Sequence, residues 1–184
     1  MPSKTRIGLM GGCFSPPHFG HLELAELALC TGEVDNIWFV PCYYHAFDKS
    51  PIAYDHRVEM CRLMIGCKQN YSVCEDEGII KSRYSVEILE YITDKYPNFE
   101  FRGILGSDNY WKRDKWKEFD KVSQLAPPIW INRPGQKKVP GAMFSCVKDI
   151  SSTMVREALK NNVDVGNLID MVVYDYIVEK ELYK

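Results

Sequence analysis

The chain has 184 residues, 46% of them apolar and 26% charged, which is enough to bury a sizeable core and reads as one globular, soluble domain over 1–184. A formal net charge of -2 with no polybasic block argues against nucleic acid as a partner. No apolar run reaches the ~20 residues a membrane helix needs, and Thr5–Met10 is too short for a signal-peptide core, so no membrane partner and a cytoplasmic location are expected.

Arg6–Met10 is a short apolar run ending in two glycines, as expected of a strand buried on both faces of a parallel sheet. Leu22–Cys30 places leucines at 22, 24, 27 and 29 among good helix formers and stops at Thr31-Gly32. Asn36–Pro41 is a second strand and 42–54 an aperiodic loop. Asp55 can cap a helix over 56–66, which ends at a glycine. Tyr71–Cys74 is a brief strand, and the acidic run Cys74–Gly78 is expected as a solvated turn. Tyr84 and Ser85 open a helix that Pro97 halts. Phe99–Leu105 is a strand leading into Gly106–Val122, a loop followed by a helix. Pro127–Gly135 holds a strand and a turn, and Phe144–Val147 a last short strand. Two helices close the pattern, a capped one over 151–162 and another over 170–180. Strands and helices alternating over short connections predict an α/β fold: a single doubly wound, Rossmann-like parallel sheet with helices on both faces. Seven cysteines, an odd number with no CxxC, are expected as reduced thiols.

The stretch GGCFSPPHFGH, residues 11–21, lies where the first strand gives way to the first helix. In a doubly wound sheet ligands bind outside the carboxyl ends of the strands. Gly11 and Gly12 fall there, and without Cβ atoms they let backbone N–H groups approach a ligand. The helix start that follows is an anion site, with free N–H groups and a positive dipole end. His18 precedes the helix, His21 lies in its first turn, and Gly20 keeps space between them. Both imidazoles can then donate to charge that grows on an α-phosphate and on leaving pyrophosphate. The glycines match neither GxGxxG nor a Walker loop, and His45 and His56 have no metal-ligand spacing to this pair, so no metal held by protein side chains is expected. Near the other end, Ser151 or Ser152 can cap a second helix whose first turn could hold β- and γ-phosphates. Arg156 lies one turn on from Ser152 and could add a charged contact. The plain alternative is a capped helix with a solvated arginine.

GGxFxPxHxGH resembles the signature of the HxGH nucleotidylyltransferase superfamily, and ISSTMVR, residues 150–156, is similar to its ISSTxIR segment. GSDNYWKRDKW (106–116), RYS (83–85) and the tail Tyr174 to Tyr183 resemble bacterial nicotinate or nicotinamide mononucleotide adenylyltransferases. Departures are Cys13 for the usual Thr or Ser, Ser15 for Asp, and YYHAFDK, 43–49, in place of a PPHK-like loop. The resemblance implies one nucleotidylyltransferase domain that binds ATP through Gly11, Gly12, Cys13, Phe14, His18, Gly20, His21, Gly106, Asp108, Ile150, Ser151, Ser152, Thr153 and Arg156. Asp108 would accept from the ATP ribose hydroxyls, and Lys49 would replace the family's loop lysine. His18, His21, Lys49 and Arg156 would carry catalysis, with Mg²⁺ accompanying ATP. Lys49, Tyr84, Ser85 and Trp116 would hold a pyridine mononucleotide. The Trp116 face suits an electron-poor pyridinium, although core packing would explain a Trp equally and Trp111 is a rival. The implied reaction joins ATP to nicotinate mononucleotide. Nicotinamide mononucleotide, phosphopantetheine, a CTP-linked transfer and a non-catalytic nucleotide-binding regulator stay open, as does a homo-oligomer.

Overall fold

The computed structural model describes residues 4–44, 51–142, 144–146 and 148–184. In chain order the elements are β1 (Thr5–Gly12), α1 (Phe19–Cys30), β2 (Asn36–Pro41), α2 (Tyr54–Ile65), β3 (Tyr71–Val73), α3 (Asp76–Ile80), α4 (Ser85–Lys95), β4 (Phe99–Gly106) and α5 (Ser107–Tyr110). After a 3₁₀ turn at Arg113–Lys115 come α6 (Phe119–Leu125), β5 (Pro128–Asn132), β6 (Phe144–Ser145), α7 (Ser152–Lys160) and α8 (Met171–Glu179). Six strands form one sheet in the order β3-β2-β1-β4-β5-β6, and every pair is parallel.

Alternation along β1 divides the core between the two faces. Met10 joins α1, α2, α7 and α8 on one side through Leu24, Met60, Val155 and Val173. Ile7 and Leu9 point the other way, toward Val86 and Ile92 of α4 and Val122 of α6. The doubly wound arrangement expected from the sequence is therefore present. At Gly8 a Cβ would lie 2.8 Å from Ile104 Cδ1 and 3.0 Å from Ile37 Cδ1, so bare backbone lets neighbouring side chains close over the strand. The chain leaves β1 for β2 on one side and later returns to β4 on the other. That reversal opens a crevice at the carboxyl ends of β1 and β4.

Three local expectations are corrected. Asp55 does not cap α2: Ala53 is the N-cap residue, and Asp55 lies in the first turn, where its charge still complements the helix dipole. The acidic run is not a solvated turn but the start of α3. Asp76 is buried and meets Lys95 Nζ at 2.6 Å, while Glu77 Oε2 accepts the Tyr43 N–H at 2.8 Å. Burial pushes the Glu77 carboxyl up to about 7. The last strand covers Phe144–Ser145 only, and Val147 lies outside the described residues. None of the seven cysteines, all among the described residues, is joined in a disulfide. Among the described residues no helix is long and apolar enough to cross a membrane.

Candidate active site

β1 ends at Gly12 and α1 begins at Phe19, so residues 13–18 bridge the carboxyl edge of the sheet to a helix start. Phe14 adopts φ 50° and buries its ring beneath Gly12, where a Cβ would stand 3.0 Å from Phe14 Cζ. At Gly11 nothing lies within 4 Å of a Cβ position, so that glycine faces open space. The two glycines thus do different work: one accommodates a ring, the other leaves room above the strand end.

The histidine spacing is a helix cap. His18 is the N-cap residue, and its N–H donates to Nδ1 of His21, 3.2 Å away at the third helical position. The His21 N–H donates back to the His18 carbonyl at 2.8 Å. Their rings lie 3.7 Å apart, tilted by 30°. Because Nδ1 of His21 accepts, its neutral ring carries the proton on Nε2, leaving that N–H as a donor. His18 is buried, and its Nδ1 has no hydrogen-bond partner among the described residues. A Cβ on Gly20 would lie 3.1 Å from that atom, close enough to press on the ring, so glycine gives it room. Burial, reinforced by the Arg133 charge, lowers His18 to about 3. Burial also holds His21 well below its ordinary value, with further lowering from His18 and Arg133. Both imidazoles are neutral at neutral pH.

The amino end of α7 meets the same loop. Ser151 Oγ caps the helix by accepting the Met154 N–H at 3.2 Å. Ser152 Oγ donates to the Pro16 carbonyl at 2.8 Å. Arg156 Nη1 donates to the Ser15 carbonyl at 2.7 Å and Nη2 to Thr153 Oγ1 at 3.1 Å. The Ile150 carbonyl would lie 3.4 Å from a Cβ on Gly20. Two positive helix ends therefore converge on one loop.

The end of β4 forms the third wall. Ser107 Oγ accepts the Arg133 N–H at 3.1 Å, and Arg133 Nη1 stands 3.7 Å from Asp108 Oδ1. A Cβ on Gly106 would fall 2.7 Å from Arg133 Cδ and 2.8 Å from Asp108 Oδ1, so this approach also needs glycine.

A model of the cytidylyltransferase-like family matches residues 9–158, which spans the carboxyl end of β1, the histidine cap, the Asp108 segment and most of α7. The chain belongs to the cytidylyltransferase-like family. A relative from Anaeromyxobacter sp. (strain K), named "Probable nicotinate-nucleotide adenylyltransferase", is 36% identical over 188 residues, covering 100% of both chains. One of the same name from Bacillus licheniformis is 32% identical, covering 97% of this chain and 98% of its own. The fold is similar to that of a Plasmodium falciparum nicotinic acid mononucleotide adenylyltransferase complexed with NaAD, with a TM-score of 0.80, 23% identity and 97% of each chain covered.

Within this family member the structure gathers the Gly11–His21 segment, Gly106, Asp108 and Ile150–Arg156 around one crevice. Tyr84, Ser85 and Trp116 lie with the helices of the opposite core. Tyr84 is the N-cap residue of α4, and its N–H donates to Ser82 Oγ at 3.0 Å. Lys117, next to Trp116, holds Nζ 4.3 Å over the Tyr84 ring and 2.7 Å from Glu87 Oε1, which joins the two segments. Trp116 is half-buried, edge-on to Phe119 at 5.8 Å. Trp111 is more exposed, but its indole N–H donates to the Lys137 carbonyl and Lys137 Nζ lies 3.6 Å over its ring. Lys49 lies outside the described residues.

Sequence reasoning missed Arg133, whose charge reaches both histidines and Asp108. Its signal was available: Arg133 directly follows the carboxyl end of β5, where a parallel sheet gathers ligands. Buried Arg57 was missed too. Its Nη1 donates to the Cys13 carbonyl at 2.8 Å and Nε to the Ile52 carbonyl at 3.1 Å, tying two loops together.

Proposed function

We propose that the chain, acting as one domain over 1–184, transfers the adenylyl group of ATP to nicotinate mononucleotide, a step of NAD biosynthesis. The observation that carries the reading is the meeting of the α1 and α7 amino ends on the 13–18 loop, with the His21 Nε2–H donor beside them. The name shared by the full-length relatives agrees with it.

A phosphate oxygen of the mononucleotide attacks the α-phosphorus of ATP in line. The bond to the β-phosphate oxygen breaks, and pyrophosphate leaves with both electrons of that bond. No protein nucleophile is needed. The chain contributes positioning and fixed donors to developing charge. His21 Nε2–H and the positive amino end of α1 face the α-phosphate, with His18 holding the cap. The α7 amino end and Arg156 hold the β- and γ-phosphates, and Arg133 adds positive charge. Asp108 accepts from the ribose. Trp116 stacks on the pyridine, and the first-turn N–H groups of α4 at Ser85 meet its carboxylate. Lys49 serves the incoming phosphate.

Among the described residues no three His, Cys, Asp or Glu side chains cluster as a metal site. Mg²⁺ therefore fits here as an ion carried by the triphosphate, where it would neutralise phosphate charge.

An acceptor and donor panel tests the reading. The purified chain should give its highest kcat/KM with ATP and nicotinate mononucleotide, and lower values with nicotinamide mononucleotide, phosphopantetheine or CTP. Preference for any of the others would reassign the substrate. Tight ATP binding without turnover would make the chain a regulator.

A further inference from the structure

Residues 13–18, which end at the His18 cap and lead into the helical turn that holds His21, belong to no strand or helix, so contacts from distant residues set their position. Arg57 holds the Cys13 carbonyl at 2.8 Å, Arg156 the Ser15 carbonyl at 2.7 Å and Ser152 the Pro16 carbonyl at 2.8 Å. The Phe19 N–H donates to the Leu168 carbonyl at 2.9 Å. All of these grip backbone. A side chain of the loop is held as well: Ser15 Oγ shares a hydrogen bond with the Tyr183 hydroxyl at 3.0 Å, across 168 positions of sequence. Ser15 is buried, so its hydroxyl has little access to water. Tyr183 is held in turn. The Leu182 N–H donates to the Ile177 carbonyl at 3.0 Å, and the Tyr183 ring packs on the core beside α1 and α8. Burial raises the Tyr183 hydroxyl above its ordinary value, so it stays protonated and able to donate or accept.

We propose that Tyr183 is a positioning residue for adenylyl transfer, its hydroxyl acting through Ser15 Oγ to set the loop that ends at His18 and leads into the first turn of α1, where His21 lies. The proposal rests on the adenylyltransferase reading above. Ser15 stands three residues before the helix cap, on the stretch whose course decides where the His21 Nε2–H points. Loss of the Tyr183 hydroxyl leaves Ser15 Oγ buried without that partner, and the loop must shift to find another. A small displacement of a preorganised donor lowers the rate of the chemical step more than it weakens binding of substrates held elsewhere.

A double-mutant cycle of Tyr183→Phe and Ser15→Ala tests this, with kcat, both Michaelis constants and melting temperature measured for each variant. Tyr183→Phe keeps the ring and its packing. It should lower kcat by roughly three- to tenfold, with both Michaelis constants within about twofold and the melting temperature nearly unchanged. Ser15→Ala should act likewise, and the double variant should be no slower than the slower single one, because the two hydroxyls work as a unit. The His18 and His21 ring resonances should move in both single variants. Additive losses, a normal kcat in Tyr183→Phe, or a loss that only follows the unfolded fraction would each overturn the proposal. Should one single variant fail to fold, the other carries the kcat and resonance tests. An unmodified chain that releases no pyrophosphate from ATP and nicotinate mononucleotide would refute the activity itself; an active chain with an additive cycle would refute only the role of Tyr183.

Discussion

On the His21 ring Nδ1 closes the α1 cap, and in the proposed function Nε2–H meets developing charge. His21→Ala removes both. Turnover should fall by on the order of 10²–10³, as for loss of one preorganised donor, and near-normal turnover in a folded variant would contradict the assignment. His18 makes a separate pH prediction. Its folded value of about 3 lies below an unfolded value near 6.5, so the unfolded chain binds the extra proton first as pH falls. The resulting destabilisation is absent above about 6.5 and grows as pH falls toward 3. From pH 7.5 to 5 the stability of the natural chain relative to a His18→Gln variant should drop by about 2 kcal/mol. Denaturant titrations at both values check this, and a pH-independent gap would count against a neutral buried ring. Trp116 separates recognition from chemistry. If its indole stacks on the pyridine, Trp116→Ala should raise the acceptor's Michaelis constant roughly five- to thirtyfold and leave that of ATP nearly unchanged. A large drop in melting temperature with no selective loss of acceptor would return Trp116 to a packing role.

Elements were legible where a local signal decided them. Asn36–Pro41 is a strand with the bounds its apolar run suggested, and of the two serines offered as the cap of α7 it is Ser151 that takes the role. Ser151→Ala should cost about 1 kcal/mol of stability, measured by chemical unfolding, and weaken ATP by disordering the first turn of α7. Unchanged unfolding and an unchanged ATP constant would show the cap to be dispensable. α1 begins at Phe19 and holds His21 in its first turn, as expected, the His18–His21 bond carrying it through Gly20, a residue with poor helix propensity. Signals failed where tertiary partners decided. The acidic run reads as solvated because charge density is all that sequence shows there. In the fold, Lys95 arrives from 19 positions away to pair with Asp76, and Tyr43 from 34 away to donate to Glu77. Nothing local marks Arg57 for notice, because its loop carbonyl partners are invisible without the fold.

For the whole molecule, alternation of short apolar strands with helices was enough to expect the doubly wound sheet, and the parallel order with its reversal beside β1 bears this out. The same reversal explains why the candidate site was half legible. Residues at the ends of β1 and before α7 carry distinctive local patterns, whereas Arg133 and Tyr183 reach the crevice only because β5 and the segment after α8 close on it. Crossing parallel strands brings together groups more than a hundred positions apart, and no spacing rule records that. The central claim is one transfer at this crevice, with ATP cleaved between its α- and β-phosphates. The most direct measurement is product stoichiometry from the purified chain with ATP, Mg²⁺ and nicotinate mononucleotide. Pyrophosphate and nicotinate adenine dinucleotide should appear in equal amounts, with no ADP or orthophosphate. Release of ADP or orthophosphate, or no dinucleotide from a folded chain that binds ATP, would contradict the account.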